Sequence, residues 1–122
     1  MSVVDVPRSA GSSGCEGLLP QLQQLVLELA RSSELDAAAK AHSADMVQYR
    51  YLDHTGSDGP EPQDRADAAG YHVPRRSGWI VVEVISAISA DPSGPLNWWL
   101  NDAQHNRVLT NPRWRELGVG YA

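Results

Sequence analysis

The residues able to do chemistry fall in three places. The first is the stretch 38–65, AAKAHSADMVQYRYLDHTGSDGPEPQDR, which holds His42 and His54, with His72 shortly beyond it. The second is Glu83, set inside the apolar run Trp79–Ile85, WIVVEVI. The third is Asp102 with His105, in NWWLNDAQHNRVL. Imidazole titrates near neutrality and serves as base, acid or metal ligand. A carboxylate in an apolar run is costly to bury without a partner. Val81, Glu83 and Ile85 share one face of the predicted strand, and two of these three are apolar. Glu83 is therefore expected to be covered, at the edge of a site. Asp102 and His105 are three residues apart on a predicted helix and share a face.

Other chemistries lack their residues. There is no G-x-S-x-G elbow, no H-E-x-x-H pair, and no P-loop or dinucleotide fingerprint. The one cysteine, Cys15, excludes an internal disulfide. It follows the loose stretch Gly11-Ser12-Ser13-Gly14, and a nucleophile needs a fixed position. His42 lies on or beside the inward face of its helix, which fits either a core histidine with a satisfied ring or a ligand.

The positioning elements follow from periodicity. Residues 1–17 read as a flexible leader and 18–122 as a single domain. Leu18, Leu22, Leu25, Val26 and Leu29 recur at helical spacing, predicting a helix over 18–31. A second helix is predicted over 34–48, with Ser33 as N-cap, Asp36 completing a capping box, and Leu35, Ala38, Ala39, His42 and Met46 facing inward. Residues 55–61 form a turn, where Gly56 and Gly59 permit positive φ and Thr55 or Asp58 caps locally. A short helix over 62–69 ends at Gly70. Arg65 sits in it, within reach of Asp58 or a carbonyl. Trp79–Ile85 is the main predicted strand. Residues 86–94 hold a turn of helix and a Pro/Gly turn. Helix is predicted over 95–101 and again over 105–109, with Trp98 and Trp99 pointing to different sides. A strand begins at Val119.

The chain has 122 residues, 42% hydrophobic and 20% charged, which suits one globular domain. Its net charge of -5, with Arg75-Arg76 as the one basic cluster, argues against duplex nucleic acid as partner. No apolar run is long enough to span a membrane. MSVVDVPRSAGSSG lacks the apolar segment of a signal peptide, so the chain taken as a full gene product reads as cytoplasmic. Four Trp and no Phe give an unusual aromatic content. Trp79, Trp98 and Trp99 offer apolar surface for a ligand groove.

Five segments together, LDAAAKAHSADM, YLDHTGSDG, QDRADAAGY, Glu83-Val84-Ile85 and NWWLNDAQHNRVLTNPRWRELGVGYA, resemble the bacterial branch of the CAP superfamily, over about residues 20–122. This superfamily groups cysteine-rich secretory proteins, antigen 5 and plant pathogenesis-related proteins. The resemblance implies an α+β fold, a three-layer α-β-α sandwich with a small antiparallel sheet. It implies an extracellular protein with a cleft of two histidines and two acids, able in some members to hold zinc or another divalent metal. Matched residue by residue, the cleft would take His54 and Glu83, with Asp102 as second acid. His105 stands where the family keeps a histidine before an arginine, although Asn106 intervenes here.

The family's histidine on a later strand has no counterpart, because the sequence stops before that strand. The resulting open sheet edge is expected to invite pairing with another copy. Two functions follow from the resemblance. One is binding without turnover, of a small apolar, lipid-like or peptide ligand or of a protein partner. The other is a divalent-metal-dependent hydrolase using His54 as base and Glu83 to fix its tautomer, with His105 as a further ligand. Gly56, Asp58, Gly59 and Arg65 would shape the turn that carries His54.

Overall fold

The computed structural model describes residues 2–6, 30–72, 80–87, 93–111 and 113–122. In chain order the elements are β1 (Ser2–Val6), β2 (Ala30–Arg31), α1 (Ser33–Tyr49), α2 (Pro62–Ala68), β3 (Val82–Ile85), α3 (Ser93–Asn101), α4 (Ala103–Leu109) and β4 (Glu116–Tyr121). The strands form one sheet in the order β2-β4-β1-β3. The fold is α+β, a small sheet sandwiched with helices, as expected.

Three expectations change. The small sheet is parallel in each described ladder, not antiparallel. The reason lies in the connections. Helices α1 and α2 separate β2 from β3, and α3 and α4 separate β3 from β4, so the chain crosses back before each new strand. Second, Ser2–Val6 of the expected leader is a strand, held between β4 and β3. Third, Ala30 and Arg31 are strand rather than helix end, because the Ala30 N–H bonds Arg115 O and the Ser32 N–H bonds Leu117 O. Residues 7–29, including Cys15 and most of the first predicted helix, lie outside the described residues.

Helix α1 is the main support of the site. Its cap is Ser32, one residue before the expected Ser33, with Ser32 Oγ accepting from the Leu35 N–H at 3.2 Å. Asp36 closes no capping box. Its Oδ1 accepts the Val119 N–H at 2.8 Å and its Oδ2 pairs with Arg31 Nε at 2.6 Å. The expected inward face is the observed one: Leu35, Ala38, Ala39, His42 and Met46 are buried, joined by Ser43. The helix ends at Arg50, whose left-handed φ of 55° turns the chain toward the His54 segment.

β4 meets α1 through two glycines. A Cβ on Gly118 would fall well under 3.0 Å from the Leu35 and Asp36 backbone, and one on Gly120 equally close to Ala39 and Lys40. Side chains alternate along a strand, so Leu117 and Val119 point to the other face. They join Leu96, Trp99, Leu109 and Trp114 in the core. Trp99 is fully buried, and its indole N–H donates to Ile85 O at 3.1 Å, the partner that a buried indole needs.

Candidate functional site

The site is built on the segment between α1 and α2. Asp45, on the last turns of α1, accepts the Ser57 N–H at 2.8 Å and the Tyr51 hydroxyl, pinning the turn to the helix. The Asp53 carboxylate accepts the Thr55 N–H at 3.0 Å, and Thr55 Oγ1 donates to Glu61 at 2.7 Å. Gly59 has φ 94°, as its place in the turn required. Gly56 is glycine for a different reason: a Cβ there would press on Pro60 at 2.9 Å. Asp58 is exposed and makes no hydrogen bond with the described residues, so it caps nothing.

Glu83 lies at the centre, its side chain 1% exposed. Its Oε1 accepts from His54 Nδ1 at 2.9 Å and its Oε2 from Arg65 Nη2 at 2.7 Å. Arg65 Nη1 donates to His54 O and Pro60 O, both at 2.8 Å, so one guanidinium ties the turn, α2 and β3 together. Arg65 was expected to reach Asp58 or a carbonyl. It reaches two carbonyls, and its charge goes to Glu83. Position in sequence gave no sign of that pairing, because the partners come from different elements.

His42 is the other residue whose partner the sequence left open. It is fully buried behind Glu83, with Nε2 donating to Asp53 O at 2.9 Å and lying 3.8 Å from Glu83 Oε1. Nδ1 is buried with no hydrogen-bond partner among the described residues. With Nε2–H donating to a carbonyl and no acceptor among the described residues for a proton on Nδ1, the surroundings favour the neutral ring. Burial holds its pKa below the ordinary value, against the pull of the Glu83 charge.

The half-exposed His54 shifts the other way. Its hydrogen bond to Glu83 pushes its pKa up, burial opposes this, and the Glu83 charge adds to the rise. The stability that the pair contributes is full below the unfolded value of about 6.5 and is lost as pH rises through the raised folded value. Unfolding free energies measured across pH on the parent and on His54→Gln should therefore converge on the alkaline side. Curves that stay parallel through this window would contradict the assigned bond.

The other pair stands apart. Asp102 caps α4, accepting the His105 N–H at 3.1 Å and His105 Nδ1 at 2.6 Å, and these bonds hold its carboxyl below its ordinary pKa. Trp98, 45% exposed, lies over the His105 ring with centroids 4.7 Å apart. No hydrogen bond or ion pair joins Asp102 or His105 to Glu83 or His54 among the described residues. Of the three groove tryptophans, Trp98 is at the surface, Trp99 is core, and Trp79 lies outside the described residues.

The donor set fits a zinc ion poorly as folded. A zinc site takes three or four protein ligands. Both Glu83 oxygens are engaged, His105 is turned to Asp102, and no group of three His, Cys, Asp or Glu side chains able to hold a metal occurs among the described residues. What the cluster provides is a histidine with Nδ1 fixed by a carboxylate and Nε2 left for another group.

No curated protein matches the chain. Among solved structures, it superposes on an extracellular protein containing a SCP domain from Bacillus anthracis str. Ames, with a TM-score of 0.74 and 22% identity. The match covers 93% of this chain and 42% of that protein, so this chain spans under half of that protein's length. At that identity the likeness shows the fold. The family follows from the sequence itself, which matches the model of the cysteine-rich secretory protein family over residues 23–122. The chain belongs to the cysteine-rich secretory protein family, CAP.

Proposed function

We propose that this domain binds a ligand without turning it over, and that the His54–Glu83–Arg65 cluster is the polar wall of the binding cleft. The observation that carries this reading is the full engagement of Glu83. Its two oxygens hold His54 and Arg65, so Glu83 orients its neighbours and is not itself placed to activate water. The residues leading into the site are apolar and outward-facing. Tyr49 and Leu52 precede His54, and Ile80 precedes Glu83, each more than half exposed. Trp98 adds an aromatic face beside His105. This combination suits a small apolar ligand or peptide with one polar end for the His54 Nε2. An extracellular location accords with the likeness to the extracellular Bacillus anthracis protein and with the family.

One observation favours a second reading, a divalent-metal-dependent hydrolase using His54, Glu83 and His105. A carboxylate behind the far nitrogen of a histidine is how metal-ligating imidazoles are commonly oriented. In that case Glu83 would orient His54 instead of ligating.

The test is calorimetric titration of zinc into metal-free protein, in parallel with a fluorescent fatty acid, on the parent, His54→Ala, His105→Ala and Trp98→Ala. The binding reading expects saturable fatty-acid binding that weakens about tenfold in Trp98→Ala, a loss of about 1.4 kcal/mol, with little zinc heat. Micromolar zinc binding lost in both His54→Ala and His105→Ala would overturn it in favour of the hydrolase. Absence of both signals would leave protein partners as the class to screen.

A further inference from the structure

Both peptide groups that flank His54 are held by side chains from other elements. Ahead of the residue, the Asp53 carbonyl accepts from His42 Nε2 on α1 at 2.9 Å. Behind it, the His54 carbonyl accepts from Arg65 Nη1 on α2 at 2.8 Å. The His54 ring donates from Nδ1 to Glu83 Oε1 on β3 at 2.9 Å. His42 Nε2 also lies 3.8 Å from that same Oε1, with the His42 side chain fully buried. The Tyr51 ring meets the His42 ring edge-on, centroids 6.2 Å apart, and the Tyr51 hydroxyl donates to Asp45, one turn further along α1. His42 is thus braced by the segment whose carbonyl it holds.

We propose that His42 is a positioning residue of the cleft: it fixes the peptide group that enters His54, and through it the direction in which His54 Nε2 meets a ligand. The ligand part of this statement rests on the binding reading above, and the positioning part does not. Two physical points carry it. His54 is half-exposed, and one bond from its ring to Glu83 fixes one point while leaving rotation about that point. The flanking carbonyls supply the two further points, one through His42 and one through Arg65. Secondly, packing alone does not account for an imidazole at this place. Its Nδ1 is buried with no hydrogen-bond partner among the described residues, a cost that an apolar side chain of similar size would avoid. What the imidazole adds is an N–H that reaches a backbone carbonyl 11 positions away.

Removing that N–H frees the Asp53–His54 peptide plane to turn, and the His54 bond to Glu83 is then made for only part of the time. A glutamine at 42 keeps an N–H donor near the place of Nε2, whereas a methionine fills the volume with no donor. The two substitutions separate the donor from the bulk. Exchange of the His54 Nδ1–H with water reads the bond directly, because a half-exposed group exchanges through local opening and not through global unfolding.

The test follows the His54 Nδ1–H and His42 Nε2–H protons by NMR in the full chain, in the parent, His42→Met, His42→Gln and Leu109→Ala. The last variant opens the core on α4 and serves as a purely structural control. In His42→Met the His54 proton should exchange about five- to tenfold faster, the factor that one net hydrogen bond is worth. In His42→Gln it should stay within about twofold of the parent. Leu109→Ala should lower the melting temperature and leave the His54 proton near the parent rate. A parent-like rate in His42→Met, an equal rise in Leu109→Ala, or no recovery in His42→Gln would each overturn the proposal, because His42 would then only fill space. Where His42→Met does not fold, the parent decides: in mild denaturant the two ring protons should be released together, and loss of the His42 proton with the His54 proton still protected would overturn it. Binding of a fluorescent fatty acid, measured on the same variants, should weaken by the same factor in His42→Met and recover in His42→Gln. Unchanged affinity in His42→Met with faster His54 exchange would overturn the ligand part. A parent that binds no fatty acid would count against the binding reading alone, since the exchange rates still decide the positioning.

Discussion

Gly120→Ala should leave little folded protein. The added methyl would sit within the backbone of Lys40 and Ala39, atoms that no rotamer change can move aside. Relief requires α1 to lift from β4. That would open the packing of Leu35 and Ala39 in the core and break the Asp36 bond to the Val119 N–H. Overpacking of a core usually costs about 1–3 kcal/mol, and a clash with rigid backbone on both sides belongs at or above the upper end, about 4 kcal/mol. Against a total stability of about 5–15 kcal/mol, that is most of the margin in a weak case. The melting temperature should fall by on the order of 15 °C. Gly118→Ala should behave alike. Gly59→Ala is the control, because its site is open and only its φ of 94° resists a side chain, a penalty of about 1–2 kcal/mol. Near-equal melting temperatures for Gly59→Ala and Gly120→Ala would mean that α1 does not ride on those glycines.

Glu83→Ala should be the second severe change, and for an electrostatic reason. Arg65 keeps its two carbonyl acceptors but loses the carboxylate it pairs with, and its side chain is 9% exposed. Breaking one partner out of a buried pair costs about 3–5 kcal/mol, most of it from the stranded charge. The double variant Glu83→Leu/Arg65→Met removes both charges and should recover much of the loss, which a simple cavity would not allow. Chemical denaturation of the two single variants and the double completes the cycle, and additive losses would contradict a coupled pair. In Glu83→Gln the His54 ring loses the charge that favours its protonated form. Its titration, followed by NMR, should move to lower pH.

The parts of this molecule that were legible in sequence are those governed by local rules. The buried face of α1, the helix 62–68 with Gly70 behind it, and the positive φ at Gly59 each follow from a spacing or a residue type. The covered state of Glu83 was legible from its apolar strand neighbours, and its pairing with His54 only through family resemblance. Arg65 shows the limit. Its carbonyl contacts lie nearby in sequence, but its ionic partner arrives from another element. β1 shows the limit more sharply. SVVDV is a good strand sequence with Gly and Ser downstream, and nothing local says that it will be taken up between two strands from the other end of the chain. The one-residue error at the α1 cap has a similar origin. Ser32 and Ser33 are equivalent by type, and the ladder bond from the Ser32 N–H to Leu117 O decides between them. Trp99 and Trp98 were separable as a pair, but which one is core depends on the Ile85 carbonyl.

The Asp36 bond to Val119 has a kinetic meaning. It spans 83 positions, and the helix it anchors packs on a strand at the far end of the domain. Contacts of such separation must bear the loop-closure entropy first, and they slow folding accordingly. As the chain leaves the ribosome, α1 emerges early with its apolar stripe uncovered, and it waits for residues 116–121 before that stripe is covered. The interval is when the domain is most exposed to aggregation.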